Sequence, residues 1–152
     1  MEVSAGVMLQ SGIVLVVSYF LVQYRSEVKQ RLQLAEDFLT KTVEAYAVFI
    51  ENVSRWVDSQ IEDVNAQKET WQKINTYGRR ISNYLSFLEK MPLQKEDKNI
   101  LVNIEEEWGH VLDKCTSAVN NDPEKVEINR NLERFKLLLD EKTDYIIMHL
   151  YI

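Results

Sequence analysis

The sequence predicts an all-α protein, in which a single N-terminal transmembrane helix is followed by an antiparallel up-and-down bundle of about four helices. The first observation is that residues 5–24 contain no charged residue. The second is that neither Gly nor Pro occurs between Gly12 and Gly78, although the turns of β architectures depend on such residues. The third is that apolar residues recur with the helical period of about 3.6 after the uncharged stretch. The expected domains are a membrane anchor, residues 1–24, and a helical bundle, residues 25–152.

The uncharged stretch is long enough to cross a membrane, because the hydrocarbon layer is about 30 Å thick and each helical residue rises about 1.5 Å. A surface helix of a soluble domain would show a polar face, but apolar side chains surround the helix from Ile13 to Val17. The two alternatives are a secretory signal peptide and a buried core helix. A signal peptide is disfavoured, because no Lys or Arg precedes the apolar residues. The residues expected inside the bilayer are Val7, Leu9, Ile13, Val14, Leu15, Val16, Val17, Phe20 and Leu21.

The charges that flank the stretch predict its orientation. Arg25, Lys29 and Arg31 follow it, and no cation precedes it. Cytoplasmic flanks carry an excess of Lys and Arg, so the C-terminal domain is expected in the cytoplasm, with Tyr24 and these three cations at the membrane interface. The single cysteine, Cys115, agrees with a reducing compartment.

The first bundle helix is predicted from a stripe of eleven apolar residues that covers 36 positions in ten steps, a mean spacing of 3.6. No helix breaker separates the stripe from the anchor, so the two are compatible with one rod of about 90 Å for sixty residues. Asn65-Ala66-Gln67 is the first expected interruption. The stripe comprises Val28, Leu32, Ala35, Leu39, Val43, Tyr46, Ile50, Val53, Val57, Ile61 and Val64.

Three further helices are predicted. The second covers about 68–90 and ends before Pro92, and the third covers about 95–118. The fourth begins at Asp122-Pro123, since Asp is a good N-cap and Pro a good first helical residue. The expected inward residues are Trp71, Ile74, Tyr77, Ile81, Leu85 and Leu88 in the second helix, Leu101, Ile104, Trp108, Val111, Leu112, Cys115 and Ala118 in the third, and Val126, Leu132, Phe135, Leu138, Leu139, Tyr145, Ile146 and Ile152 in the fourth.

Motifs for catalysis are incomplete in this sequence. Glu107-x-x-His110 is half of the pattern found in di-metal helical bundles, but the second half is missing, because Ile146 stands three residues before His149. Cys115 lies on an apolar stripe and is interpreted as a buried thiol. Phosphate-binding loops, serine nucleophile elbows and CxxC pairs are absent from the sequence. We therefore expect no enzyme activity, no cofactor and no metal.

Two regions are candidates for contact with other molecules. The second helix is basic, with Lys68, Lys73, Arg79, Arg80 and Lys90, and this surface is expected to face the acidic residues 105–107 of the third helix rather than an external anion. The net charge of −6 argues against nucleic acid. The last eight residues, YIIMHLYI, carry no charge. They either complete the fourth helix or contact a partner or the membrane; the candidate partner-binding residues are Tyr145, Ile147, Met148 and Tyr151.

The pattern as a whole favours a membrane-anchored interaction or scaffold protein, an adaptor that binds a protein partner through its bundle. The alternative is a single-pass membrane sensor whose bundle binds a small molecule. A third hypothesis is an effector that perturbs the bilayer through oligomers of the span, where Ser11 and Ser18 share one face and are compatible with weak packing in a homo-oligomer. The sequon Asn52-Val53-Ser54 lies within the predicted first helix and is expected to carry no glycan.

Overall fold

The computed structural model describes residues 5–57, 63–118 and 122–152. These residues form four α-helices: α1, Ala5–Val57; α2, Val64–Glu89; α3, Lys95–Ala118; and α4, Asp122–His149. The predicted all-α bundle is confirmed. Ile61 of the predicted stripe lies outside the described residues, as do the side chains of Ala118, Asp122, Pro123 and Val126.

Helix α1 is one continuous rod of 53 residues, which corresponds to about 80 Å at 1.5 Å per residue. It contains the whole described part of the apolar stretch and the first bundle helix. Residues 13–57 contain neither Gly nor Pro, which agrees with an unbroken helix. The sequence allowed the apolar stretch and the first bundle helix to form one helix, and the structure confirms that they do.

The predicted end of the first helix is wrong. Helix α1 ends at Val57, and Asn65-Ala66-Gln67 forms the first turn of α2 rather than an interruption. Asp63 caps α2, because its carboxylate oxygen Oδ1 accepts a hydrogen bond of 3.1 Å from the backbone N–H of Asn65. Val64, the last residue of the predicted stripe, is 76% exposed. The apolar spacing of 3.6 continues by chance up to Val64, although Asp63 marks the start of a new helix there.

Each helix packs against the next in sequence, and α4 packs back against α1. This arrangement is an up-and-down four-helix bundle, the arrangement that short connections favour. Helix α3 has the predicted bounds. The turn between α2 and α3 is closed by hydrogen bonds of 3.1 Å from the backbone N–H groups of Lys90 and Met91 to the carbonyls of Phe87 and Leu88. Of the neighbouring pairs, α2 and α3 pack least closely.

Four rings form the centre of the core: Tyr46, Phe49, Trp108 and Phe135, which we call the aromatic cluster. The ring centroids of Phe49 and Trp108 lie 5.0 Å apart, and those of Tyr46 and Phe135 lie 4.9 Å apart, both in edge-to-face geometry. The Tyr46 hydroxyl donates to the carbonyl of Leu132 at 2.6 Å. Trp108 Nε1 donates to Ser82 Oγ at 3.0 Å. The aromatic cluster thereby contacts all four helices.

Most of the predicted inward residues are buried, with differences at the outer edges of the bundle. Ile128 of α4 and Leu150, directly after α4, are buried in the core, although neither was predicted there. Ile152 was predicted to face inward, but it is 92% exposed because the helix ends at His149 and its periodicity stops. Trp71 and Tyr145 are also more exposed than predicted, at 39% and 36%.

Candidate functional surfaces

The N-terminal part of α1 contacts no other part of the described chain. Every described residue from 5 to 27 is exposed. Its most apolar 18-residue window has a mean hydropathy of 2.0, and none of that window is buried. By length and composition, α1 is the one helix of the described residues that could cross a membrane. The exposed fractions of its large apolar side chains lie between 49% and 71%, and these include Val7, Leu9, Ile13, Val14, Leu15, Val16, Val17, Phe20 and Leu21.

The predicted interface residues lie between this apolar segment and the bundle. Tyr24, Arg25, Lys29 and Arg31 are all exposed on α1. The first fully buried residue of the helix is Ala35, which lies about 16 Å along the axis from Tyr24. A short, mostly solvated stretch of helix therefore separates the apolar segment from the bundle and carries the three cations.

The last eight residues lie at the end of the bundle that faces the apolar segment. The hydroxyl of Tyr151 donates to Glu36 Oε2 at 2.6 Å, beside the start of the bundle part of α1. The hydroxyl of Tyr145 donates to Glu96 Oε1 at 2.9 Å, in the first turn of α3. These hydrogen bonds raise the pKa of both phenols. Met148 is 71% exposed, whereas Ile147 is partly buried against the core.

The basic face of α2 lacks the ion pairs with α3 that the sequence suggested. Lys68, Lys73, Arg79 and Arg80 are exposed, and among the described residues no salt bridge joins α2 to α3. The structure instead places two carboxyl groups together at this boundary. Burial, together with a hydrogen bond and repulsion from Glu89 of α2, raises the pKa of Glu105 of α3 to about 7. The described residues therefore show two neighbouring carboxyl groups at this boundary instead of the expected pairing of basic with acidic side chains.

A groove of about 330 Å³ lies between α2 and α3, and sequence analysis missed it. Its floor reaches Phe49 of α1 because Gly78 of α2 has no side chain to cover that ring. Gly78, a glycine inside a predicted helix, is the one sequence signal that points to the groove. The lining residues are Phe49, Trp71, Ile74, Asn75, Gly78, Arg79, Ser82, Asn83, Leu112, Cys115 and Thr116.

The residues considered for chemistry do not converge on a site. Cys115 is buried, and burial raises the pKa of its thiol to about 11, so the nucleophilic thiolate is scarce at neutral pH. His110 is exposed on α3, three residues after the half-buried Glu107. Among the described residues, no group of three His, Cys, Asp or Glu side chains could hold a metal ion.

The sequon asparagine is part of the bundle interior. Asn52 is 5% exposed, and its Nδ2 donates to the carbonyl of Val48 at 2.7 Å. A glycan on Nδ2 would have to displace this bond and open the core, so the folded bundle is incompatible with modification at this position.

Comparison of the chain with known protein families, curated proteins and solved structures gave no match.

Proposed function

We propose that the chain is a single-pass membrane protein whose helical bundle binds a protein partner on the cytoplasmic side. The observation that carries the proposal is the continuity of α1, which passes from an exposed apolar segment into a packed bundle without a break. The nine apolar side chains of the segment that are expected inside the bilayer are all exposed. Burying each is worth roughly 1.5–3 kcal/mol, so lipid is a strongly favoured surrounding for them.

A buried core helix and a signal peptide are the two competing explanations of the apolar segment, and each predicts a different property of the protein. A buried core helix needs a surface that covers it, and the bundle of this chain leaves it uncovered. A signal peptide would be removed, and the mature protein would then lack the segment. The excess of Arg and Lys directly after the segment supports retention of the bundle in the cytoplasm.

The end of α4 is the proposed partner-binding surface. Met148 and Tyr151 are exposed there, and Tyr145 and Ile147 lie beside them on the same end of the helix. The hydrogen bonds of Tyr145 and Tyr151 to Glu96 and Glu36 hold this end against the bundle, so the exposed groups are presented in a fixed arrangement. A partner bound there would sit close to the membrane.

Extraction of membranes with alkaline carbonate tests the anchor. The full chain is expected in the membrane fraction, with an intact mass that includes the apolar segment. Substitution of Val14→Lys together with Val17→Lys should move it to the soluble fraction, because each Lys at the centre of a span costs about 2.5–3.5 kcal/mol. Neither residue contacts the bundle, so helix content should stay unchanged.

The matched control places two lysines on the exposed face of the same helix, Thr40→Lys with Ala47→Lys, and should remain in the membrane. A wild-type chain that appears in the soluble fraction, or a mature protein that lacks the segment, would contradict the anchor.

A photoreactive phenylalanine analogue at Met148 tests the partner surface in the same membranes. A discrete crosslinked adduct is expected from Met148 and none from Lys136, an exposed residue on the same helix. An adduct of twice the mass of the chain would replace the heterologous partner with a homo-oligomer. Equal labelling from both positions would contradict a specific surface at the end of α4.

A further inference from the structure

We propose that the groove between α2 and α3 binds a small organic anion, with its charged group at Arg79 and an aromatic or branched aliphatic body on the apolar floor. This site lies away from the end of α4, so it goes beyond the partner-binding function and does not depend on it. If the chain is a membrane sensor, the alternative function considered above, a small organic anion would be its ligand.

The groove has the size and surface of a small-molecule site. Its volume of about 330 Å³ lies within the range of about 300–1,000 Å³ that is usual for such sites. Phe49, Ile74 and Leu112 supply apolar surface, and the half-exposed indole of Trp71 lies among the lining residues. These groups would shield an apolar ligand body from water.

The charge of the lining selects an anion. Among the described residues that line the groove, Arg79 is the one cation and none is a carboxylate, although the whole chain carries −6. The Cys115 thiol adds no negative charge at neutral pH, because burial raises its pKa to about 11. A guanidinium presents several N–H donors in a plane and suits carboxylate, sulfonate and phosphate groups.

The polar lining adds donors beside this cation. The amides of Asn75 and Asn83 line the groove. The hydroxyl of Thr116 also lines it but donates its proton to the carbonyl of Leu112 at 3.0 Å. Ser82 Oγ accepts the indole N–H of Trp108 at 3.0 Å, which leaves its own O–H to donate towards the groove. A bound anion would therefore meet hydrogen-bond donors of α2 beside Arg79.

Gly78 keeps the floor open, and packing does not require it. A Cβ at this position would lie 3.5 Å from the Phe49 ring and 3.9 Å from Leu112, both ordinary van der Waals distances. Glycine in a helix interior costs about 1 kcal/mol relative to alanine. The position therefore carries a residue that weakens the helix and leaves the groove accessible.

The pair 2-naphthoate and 2-naphthamide tests the proposal, since the two probes share a ring system and differ in charge. Equilibrium dialysis of each probe against the detergent-solubilised full chain, with detergent alone as the blank, measures its retention. At equal concentration, naphthoate should be retained at least fivefold more than naphthamide.

Three variants separate charge from shape. Arg79→Gln should abolish the preference for naphthoate, and Gly78→Leu should reduce retention of both probes by filling the floor. Arg80→Gln is the matched control, because that guanidinium lies 4.8 Å from the Tyr77 ring and does not line the groove; it should bind as the wild type does. Equal retention of both probes, retention of neither, or loss of naphthoate in both arginine variants would overturn the proposal. None of these outcomes bears on the carbonate extraction.

Discussion

At the residue scale, the hydroxyl of Tyr46 is a buried polar group that links two helices of the core. It donates to the Leu132 carbonyl at 2.6 Å, and burial raises its pKa, so it stays protonated across the accessible pH range. Tyr46→Phe keeps the ring in the aromatic cluster and removes only this bond. We expect a loss of about 1 kcal/mol in the free energy of unfolding.

Denaturant unfolding of the full chain in detergent measures that loss. The control is Tyr84→Phe, since Tyr84 is half-buried and its ring packs at 5.8 Å from Phe38. An equal loss in both variants would show that the effect comes from something other than the bond to Leu132.

The pair Glu89 and Glu105 should make stability depend on pH. The pKa of Glu105 is about 7 in the folded chain against an ordinary value of 4.5, so the folded state binds more protons between these values. Stability therefore decreases as the pH rises from 4.5 to 7 and stays lower above it. Glu105→Gln should reduce this dependence and stabilise the bundle at pH 8 by about 0.5–1 kcal/mol, a small value because the pair is partly solvated.

Thermal unfolding at pH 5 and pH 8 provides the measurement, and Glu106→Gln on the exposed neighbour is the control. The idea is wrong if the control removes as much of the pH dependence as Glu105→Gln does.

At the element scale, α2 combines a strong cap at Asp63 with a weak point at Gly78. Gly78→Ala should stabilise the chain by about 0.5–1 kcal/mol, because alanine restricts the unfolded chain and favours the helix. Gly109→Ala on α3 is the comparison, since a Cβ there would meet nothing within 4 Å. Urea midpoints of the two variants should both rise. A marked destabilisation by Gly78→Ala alone would mean that Phe49 cannot accommodate the added carbon.

The elements also show where sequence information ends. The bounds of α3 could be predicted because Pro92 and the polar sequence Asn120-Asn121-Asp122-Pro123 mark them locally. The end of α1 could not, since the apolar period continues past Val57 and only the Asp63 cap distinguishes the next helix. The groove and the contact of Glu89 with Glu105 depend on how α2 and α3 rotate against each other. That rotation results from packing among all four helices, which no single segment encodes.

At the scale of the whole molecule, α1 makes the apolar segment and the bundle parts of one rigid element. The solvated stretch from Tyr24 to Ala35 is helical, so a displacement at the bundle end of α1 would be transmitted along the axis rather than lost in a linker. The apolar segment was predictable because absence of charge over twenty residues is a local property. The position of the last eight residues beside Glu36 was not, because it depends on α4 returning to α1.

The cations that follow the apolar segment predict the orientation of the whole chain, with the bundle in the cytoplasm. The native sequon cannot report it, because Asn52 is buried on either side of a membrane. Ile152 is 92% exposed, so an alkaline phosphatase fused after it should not disturb the bundle. A cytoplasmic fusion should be inactive, since the enzyme needs disulfides that a reducing compartment prevents. Replacing Arg25, Lys29 and Arg31 with Gln should raise its activity several-fold by removing the positive flank.

The matched control replaces three exposed cations of the bundle, Lys68, Lys73 and Arg130, with Gln. It removes the same charge from the chain but leaves the flank of the apolar segment intact, so the fusion should stay inactive. The orientation effect of a cation is confined to the neighbourhood of the span, within about 15–20 residues. A fully active phosphatase on the unmodified chain would place the bundle outside the cytoplasm. The partner and the organic anion would then have to come from the extracytoplasmic side, while the fold that presents both surfaces would remain the same.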